Sequence, residues 1–159
     1  MSTEILEPNQ EEIGRLIRNH VIGAMGVGLI PMPVVDFVAL SGIQLNLLRK
    51  MALAYNIPFS KDKGKNLIGA LIGGGLTLPA GYALASLVKI VPIIGSTAGA
   101  VAMPAAAGAT TYAIGKVFLQ HFASGGTLLN FDPEKVKAYY KEMFEEGKTY
   151  SASLQPETA

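Results

Sequence analysis

The chain contains no cysteine and no tryptophan, and only 16% of its 159 residues are charged. Without cysteine, disulfide frameworks and thiolate metal sites are excluded. A soluble domain usually has about a quarter of its residues charged, so this chain is short of charge. Its formal net charge of +1 gives no reason to expect nucleic acid as a partner. Half of the residues are apolar, which excludes disorder over most of the chain, because disorder requires low hydrophobicity and high charge.

The few charges are unevenly distributed. Residues 19–48 contain a single charged residue, Asp36, and residues 66–131 contain two, Lys89 and Lys116. A helix that lies in water has one charged face, and helices in these stretches would lack one. We therefore expect them to be buried on all sides, either in lipid or in a larger assembly.

Two uncharged stretches are long enough to cross a bilayer. Leu67–Val88 has 22 residues and Ile90–Gly115 has 26, whereas a transmembrane helix needs about 20. Both stretches are rich in glycine and alanine rather than leucine, which makes insertion less favourable per residue. Membrane embedding is our expectation, and a soluble core hairpin is the alternative.

Proline and glycine divide the chain into five predicted helices, and strand signals are absent. We expect an all-α fold in which four apolar helices form hairpins and an amphipathic helix follows at the C-terminal end. A single membrane-associated domain would span residues 11–148, between flexible tails at residues 1–10 and 149–159. The predicted helices are Glu11–Gly28, Val34–Asn56, Lys61 to about Val88 after an N-cap at Ser60, about Ser96–Phe122 with Pro104 inside it, and Asp132–Gly147.

The basic residues predict a topology. If each apolar stretch is a hairpin, eight basic residues face one side, and the two apices fall at residues 31–36 and 89–95. The positive-inside rule then places both termini in the cytoplasm. No secretory signal is evident, so we expect the protein to stay on the cytoplasmic side. The eight residues are Arg15, Arg18, Arg49, Lys50, Lys61, Lys63, Lys65 and Lys116.

Small residues recur at a spacing of four. This spacing lets helix backbones approach closely in lipid, so it favours a tight helix pair within one chain or between copies. Chance is the alternative in a sequence so rich in glycine and alanine. The residues that we expect at such contacts are Gly69, Gly73, Thr77 and Gly81 in one row and Gly95 and Gly99 in a second.

Two polar features lie in apolar surroundings. Asp36 and Lys89 are both near the predicted apices and would form a buried pair, although an acid in the first turn of a helix also complements the helix dipole. Ser41 and Gln44 would line a polar seam or form interhelical hydrogen bonds.

No motif for catalysis, cofactor binding or metal binding is present. The glycine runs lack the spacing of nucleotide-binding loops. The two histidines, His20 and His121, are far apart and have no cluster of acids beside them. We therefore expect a protein that is not an enzyme and needs no cofactor.

Several short motifs together resemble a known family. Pro31-Met32-Pro33, Asp36 and Gln44 come first, and Val91–Gly95 and Thr111–Lys116 follow later. In their order and spacing they are similar to the bacterial YcjF-like domain family, a membrane domain of unknown function that is often fused behind Era-like GTPases. The resemblance implies a helical domain at the inner membrane and a link to a GTPase partner.

Three functions fit these patterns. The first is a non-enzymatic membrane scaffold that self-associates through its small-residue faces and is coupled to a GTPase partner. The second is a small channel or transporter subunit, with Asp36, Gln44 and Lys89 along the pathway. The third is a soluble helical homo-oligomer that buries the apolar hairpins between copies.

Overall fold

The computed structural model describes residues 8–27, 33–75 and 97–154, with their side chains except those of residues 33–37, 73–75 and 97–103. The described residues form helices and no strand, so the all-α class is confirmed for this part of the chain. In chain order the helices are α1 (Gln10–Val27), α2 (Pro33–Ala54), α3 (Lys61–Gly75), α4 (Thr97–Ala123) and α5 (Lys137–Leu154).

The ends of the helices follow from local chemistry. Asn9 caps α1, because its side-chain oxygen accepts a hydrogen bond from the Glu11 amide at 3.0 Å. After α2, Asn56 adopts a left-handed conformation with φ of 55°, and the Ile57 amide bonds back to the Ala52 carbonyl at 2.8 Å. These boundaries lie within two residues of the predicted ones. The predicted extension of α3 to about Val88 lies outside the described residues.

The predicted bounds of the last helix, Asp132–Gly147, are wrong at both ends. Asp132 caps a turn instead of the helix, since its side chain accepts a bond from the Glu134 amide at 3.0 Å. The helix begins at Lys137 and continues through Gly147 to Leu154. Gly147 is buried and lies against the backbone of Ala109, so this glycine permits a close approach of two helices and does not end one.

Side-chain contacts define how the helices run. His20 meets Asn46 between α1 and α2, and Ile17 lies beside Gly115 between α1 and α4. Both pairs are antiparallel. α3 returns along α2, and α5 returns along α4. The ends of α1 and α3 therefore point to the same end of the bundle as the starts of α2 and α4, as the hairpin prediction requires.

The core lies between α1, α2 and α4, with α3 and α5 packed outside them. Phe118 of α4 is the largest fully buried side chain, and it stacks on Phe131 with ring centroids 4.4 Å apart. Further side chains with at most 2% exposure are Ile13, Leu47, Leu48, Met51, Leu71 and Ile114.

Across the part of the chain that the structure describes, we find no helix with the length and apolar character that crossing a membrane requires. The two predicted spans, Leu67–Val88 and Ile90–Gly115, lie partly outside that description.

Candidate functional site

Glycines bring the central helix α4 close to its neighbours. A Cβ atom on Gly115 would lie 3.0 Å from a side-chain carbon of Ile17 in α1. A Cβ atom on Gly147 of α5 would lie 2.9 Å from the Ala109 carbonyl oxygen. Such distances leave no room for a side chain, so these glycines set the separation of the helices.

None of the small residues predicted at helix contacts has a close contact in the described structure. Gly69 of α3 is exposed, and a Cβ atom built on it meets nothing within 4 Å. Gly73 and Gly99 belong to α3 and α4, but their surroundings are not described. Thr77, Gly81 and Gly95 lie outside the described residues. The close approaches at Gly115 and Gly147 involve glycines outside the predicted rows, and the contacts predicted for those rows stay predictions.

Gln44 links α2 to α4 in the core. It is 1% exposed, and its Nε2 donates a hydrogen bond to Thr111 Oγ1 at 3.3 Å. Thr111 Oγ1 in turn donates to the Ala107 carbonyl at 3.0 Å. Ser41 is half-buried about one turn before Gln44. The sequence predicted either a polar seam or an interhelical hydrogen bond here, and Gln44 has the geometry of the hydrogen bond.

The predicted pair of Asp36 and Lys89 cannot be placed in the fold. Asp36 is in the first turn of α2, where an acid suits the helix dipole. Its side chain is not described, and Lys89 lies outside the described residues. Their pairing stays a prediction.

The Gln44–Thr111 bond gives an asymmetric prediction. We expect Thr111→Val to lower the free energy of unfolding by about 1–3 kcal/mol, because the buried Gln44 amide then loses its acceptor. Gln44→Leu should be nearly neutral, since Thr111 keeps its bond to Ala107. Urea unfolding followed by circular dichroism measures both, and equal losses in the two variants would contradict the reasoning.

Four basic residues lie at one level of the bundle. Arg18 follows Ile17 and Lys116 follows Gly115, and Ile17 contacts Gly115. Arg49 and Lys116 each lie five residues beyond a member of the Gln44–Thr111 bond, on helices that run the same way. Lys65 follows Gly64, which packs against Leu48, the neighbour of Arg49. We name Arg18, Arg49, Lys65 and Lys116 the basic belt.

The basic belt separates a charged end of the bundle from an uncharged end. Arg18, Arg49 and Lys65 are exposed, and Lys116 is half-buried. From the belt to the limits of the described residues, α1–α4 carry a single charged residue, Asp36. The other four of the eight basic residues predicted to face one side lie at the charged end of the bundle. They are Arg15, Lys50, Lys61 and Lys63. Each helix of the hairpins thus passes from a basic residue into an uncharged segment.

The amphipathic helix α5 covers one face of the uncharged end. Tyr112 of α4 donates a hydrogen bond to Glu146 Oε1 at 2.6 Å, and Lys116 Nζ lies 5.5 Å from the centre of the Tyr112 ring. Gly108 of α4 faces the buried hydroxyl of Ser151. On this face the charged surface therefore reaches from the belt to about the level of Gly108.

An open groove runs between α1 and α2 from the level of the basic belt. His20 lies at the end of the groove nearest the basic belt. Its Nδ1 is 2.8 Å from the Leu16 carbonyl oxygen and its Nε2 is 3.0 Å from the Asn46 side-chain nitrogen. Nδ1 donates to the carbonyl and Nε2 accepts from the amide, so these partners select one neutral tautomer of the imidazole. Gly23 and Gly42 line the groove farther from the belt, toward the uncharged end.

Burial raises the pKa of Tyr140 in α5 to about 12. An unfolded tyrosine has a pKa of 10.0, so between these values the unfolded chain loses its proton and the folded chain keeps it. Tyr140 should therefore contribute a fall in stability of roughly 2–3 kcal/mol as the pH rises from 10 to 12, in the same direction as Tyr112, whose pKa is also raised by burial. Tyr140→Phe should flatten this fall in urea unfolding. Tyr139→Phe, which removes the hydroxyl of a half-buried tyrosine, should change it less, and equal slopes for wild type and Tyr140→Phe would contradict the assignment.

The described residues offer little for catalysis. No group of three or more histidine or acidic side chains that could hold a metal occurs among them. His20 and His121 are each bonded to a backbone carbonyl. The arrangement instead suits contact with an apolar medium at one end of the bundle and with anions at the basic belt.

Comparisons with known proteins place the chain in a family. It is 37% identical over 155 residues to magnetosome membrane protein 22 of Magnetospirillum gryphiswaldense, a match that covers 93% of this chain and 80% of that protein. No solved structure matches it. The family model described as a domain of unknown function, DUF697, matches residues 1–149. The chain therefore belongs to the DUF697 family.

Proposed function

We propose that this protein is a non-enzymatic membrane scaffold whose uncharged end inserts into a bilayer while the basic belt meets the lipid headgroups. The observation that carries this proposal is that the four residues of the basic belt lie at one level of the bundle. A basic residue near an anionic membrane surface contributes about 1 kcal/mol to binding, and a segment without charges avoids the cost of burying them in lipid. The relative's name, magnetosome membrane protein, supports the same placement.

The orientation follows from the same residues. Basic residues near the ends of membrane segments favour the cytoplasmic side, so the charged end would lie in the cytoplasm at the bacterial inner membrane, with both termini on that side. Because α5 is charged along the α4 face as far as Gly108, insertion on that face would begin beyond Gly108.

Self-association is the second part of the proposal. Gly69 is exposed and open, which leaves the α3 face free for a helix of another copy. We place the rows Gly69, Gly73, Thr77 and Gly81, and Gly95 and Gly99, at contacts between copies in the membrane, where small residues allow close packing.

The third part concerns a GTPase partner. The outer face of α5 exposes residues of both signs, among them Lys141, Glu142 and Glu145. Such a mixed face suits a polar, reversible protein contact. Because the sequence resembles a domain fused to GTPases, we propose α5 as the surface that contacts such a partner.

The two alternative functions are separable from this one. A channel pathway through Gln44 is not favoured, since that side chain is buried against α4 and bonded to Thr111. A soluble homo-oligomer would bury the uncharged end between copies, and fractionation tests it directly.

The experiment compares extraction conditions on cells that produce the full chain. We expect the protein to sediment with membranes, to stay there in high salt and to be released by detergent. Recovery as a lipid-free particle in buffer, whether a monomer or a large oligomer, would overturn the proposal.

A further inference from the structure

The groove between α1 and α2 has the volume of a ligand site. It is an open depression of about 390 Å³, a volume within the roughly 300–1,000 Å³ of small-molecule sites. We name it the α1–α2 groove. Its lining residues are Asn19, His20, Gly23, Ala39, Gly42, Ile43 and Asn46.

The lining changes from polar to apolar along the bundle axis. Asn19, His20 and Asn46 lie next to the basic belt. Toward the uncharged end, Gly23, Gly42 and then Ala39 replace them, and the glycines leave the groove open. A ligand that matches this lining has a polar group at one end and a hydrocarbon chain at the other.

Charge at the polar end selects an anion. Lys50 follows Asn46 by four residues, so both lie on the same face of α2, and Lys50 is exposed. Arg18 and Arg49 of the basic belt stand at the same level. No acidic residue lies in the described part of either helix between the belt and the upper end of the groove at Ala39. Lys50, Arg18 and Arg49 therefore bring positive charge to the polar end of the groove.

The flanks of the groove are also suited to hydrocarbon. Ile22 and Val38 are two of the large apolar side chains exposed in the described structure, at 45% and 66%. They adjoin Gly23 and Ala39 in sequence. Apolar side chains in these positions would extend the apolar lining if the groove faces hydrocarbon.

We infer that the α1–α2 groove holds one anionic phospholipid, with its phosphate beside Lys50 and Asn46 and one acyl chain along Gly23, Gly42 and Ala39. This inference rests on the proposed membrane function, because it requires the groove to face the bilayer. It adds a defined binding site to the general attraction of the basic belt.

A matched pair of substitutions tests the inference. Gly42 and Gly14 are both exposed glycines in helices, and a Cβ atom on either meets nothing within 4 Å. Leucine at either position raises helix propensity, so both variants should fold. Gly42→Leu fills the groove, whereas Gly14→Leu lies on the charged side of the basic belt.

The measurement is native mass spectrometry of the full chain after reconstitution into vesicles of phosphatidylglycerol and phosphatidylcholine and mild detergent extraction. We expect wild type and Gly14→Leu to retain one phosphatidylglycerol per chain and Gly42→Leu to lose it. Lys50→Gln should reduce the preference for phosphatidylglycerol over phosphatidylcholine about fivefold.

The outcomes separate the two levels of the proposal. A chain that does not join vesicles at all would overturn the membrane function together with the site. Vesicle association with equal lipid retention in Gly42→Leu and Gly14→Leu would overturn the site alone. A changed copy number in Gly42→Leu, with lipid retention intact, would show that a second copy occupies the groove and would likewise overturn the inference.

Discussion

Replacing all four residues of the basic belt by glutamine is expected to weaken binding to anionic vesicles about a thousandfold. Each basic residue near a membrane surface contributes about 1 kcal/mol, so the loss of four amounts to about 4 kcal/mol. The variant combines Arg18→Gln, Arg49→Gln, Lys65→Gln and Lys116→Gln. Vesicle sedimentation at physiological salt, after the detergent-purified chain is diluted into vesicles, measures the partition coefficient, and circular dichroism confirms that the helices persist.

A second quadruple variant controls for net charge. Lys61, Lys63, Lys135 and Lys137 lie on the charged side of the basic belt, and their replacement by glutamine lowers the formal net charge of +1 by the same amount. Attraction to the surface falls off within a Debye length, about 8 Å. Lys63 and Lys61 lie two and four residues before Lys65, roughly 3–6 Å along α3, so this variant should lose part of the binding but less than the belt variant. Equal losses in the two variants would show that the level of the charges is irrelevant and would contradict the belt.

Gly147→Leu should destabilise the fold by about 3 kcal/mol or more, since overpacking against rigid structure costs 1–3 kcal/mol and occasionally more. A Cβ atom there would lie 2.9 Å from the Ala109 carbonyl oxygen and 3.0 Å from the Ala109 Cα. These are backbone atoms, so relief requires α4 and α5 to separate. Thermal and urea unfolding followed by circular dichroism give the change.

The control for Gly147→Leu is Gly14→Leu. A Cβ atom at residue 14 meets nothing within 4 Å, and leucine has a higher helix propensity than glycine by up to about 1 kcal/mol. This variant should therefore be as stable as wild type or slightly more stable. The opposed signs of the two substitutions are the prediction, and destabilisation of both would refute the role assigned to Gly147.

The same glycine shows why part of the fold could not be predicted. Near the end of an amphipathic stretch, glycine is the usual signal for a helix to stop, and the sequence carries no sign that another backbone lies against it. The signal that could have corrected this is the apolar spacing beyond it, where Tyr150 and Leu154 continue the stripe of Tyr140 and Met143.

The contacts across the bundle had the same limitation. Gln44 and Thr111 are 67 residues apart, and no local pattern indicates that they meet. The small residues at a spacing of four suggested close helix packing in general, but the spacing is the same for a residue that packs and for one that is exposed. Gly115 packs and Gly69 is exposed, and only the fold distinguishes them.

The hairpin arrangement was predictable because charge is segregated along the chain. Each of the four apolar helices has its basic residue at the end where the hairpin opens, and an antiparallel arrangement brings these ends together. What the sequence could not predict is the register that aligns Arg18, Arg49, Lys65 and Lys116, since register depends on the packing of Ile17, Gly115 and Gly64 in the core.

Two exposed positions test most directly whether the uncharged end lies in a bilayer. Val38 is 66% exposed on the uncharged side of the basic belt, and Leu129 is 80% exposed on the charged side. Because the chain has no cysteine, Val38→Cys and Leu129→Cys can each carry a single environment-sensitive fluorophore. In chains reconstituted from detergent into anionic vesicles, we predict blue-shifted emission and protection from aqueous quencher at residue 38 and neither at residue 129. A label at residue 38 that stays as accessible to water as the label at residue 129 would contradict the account.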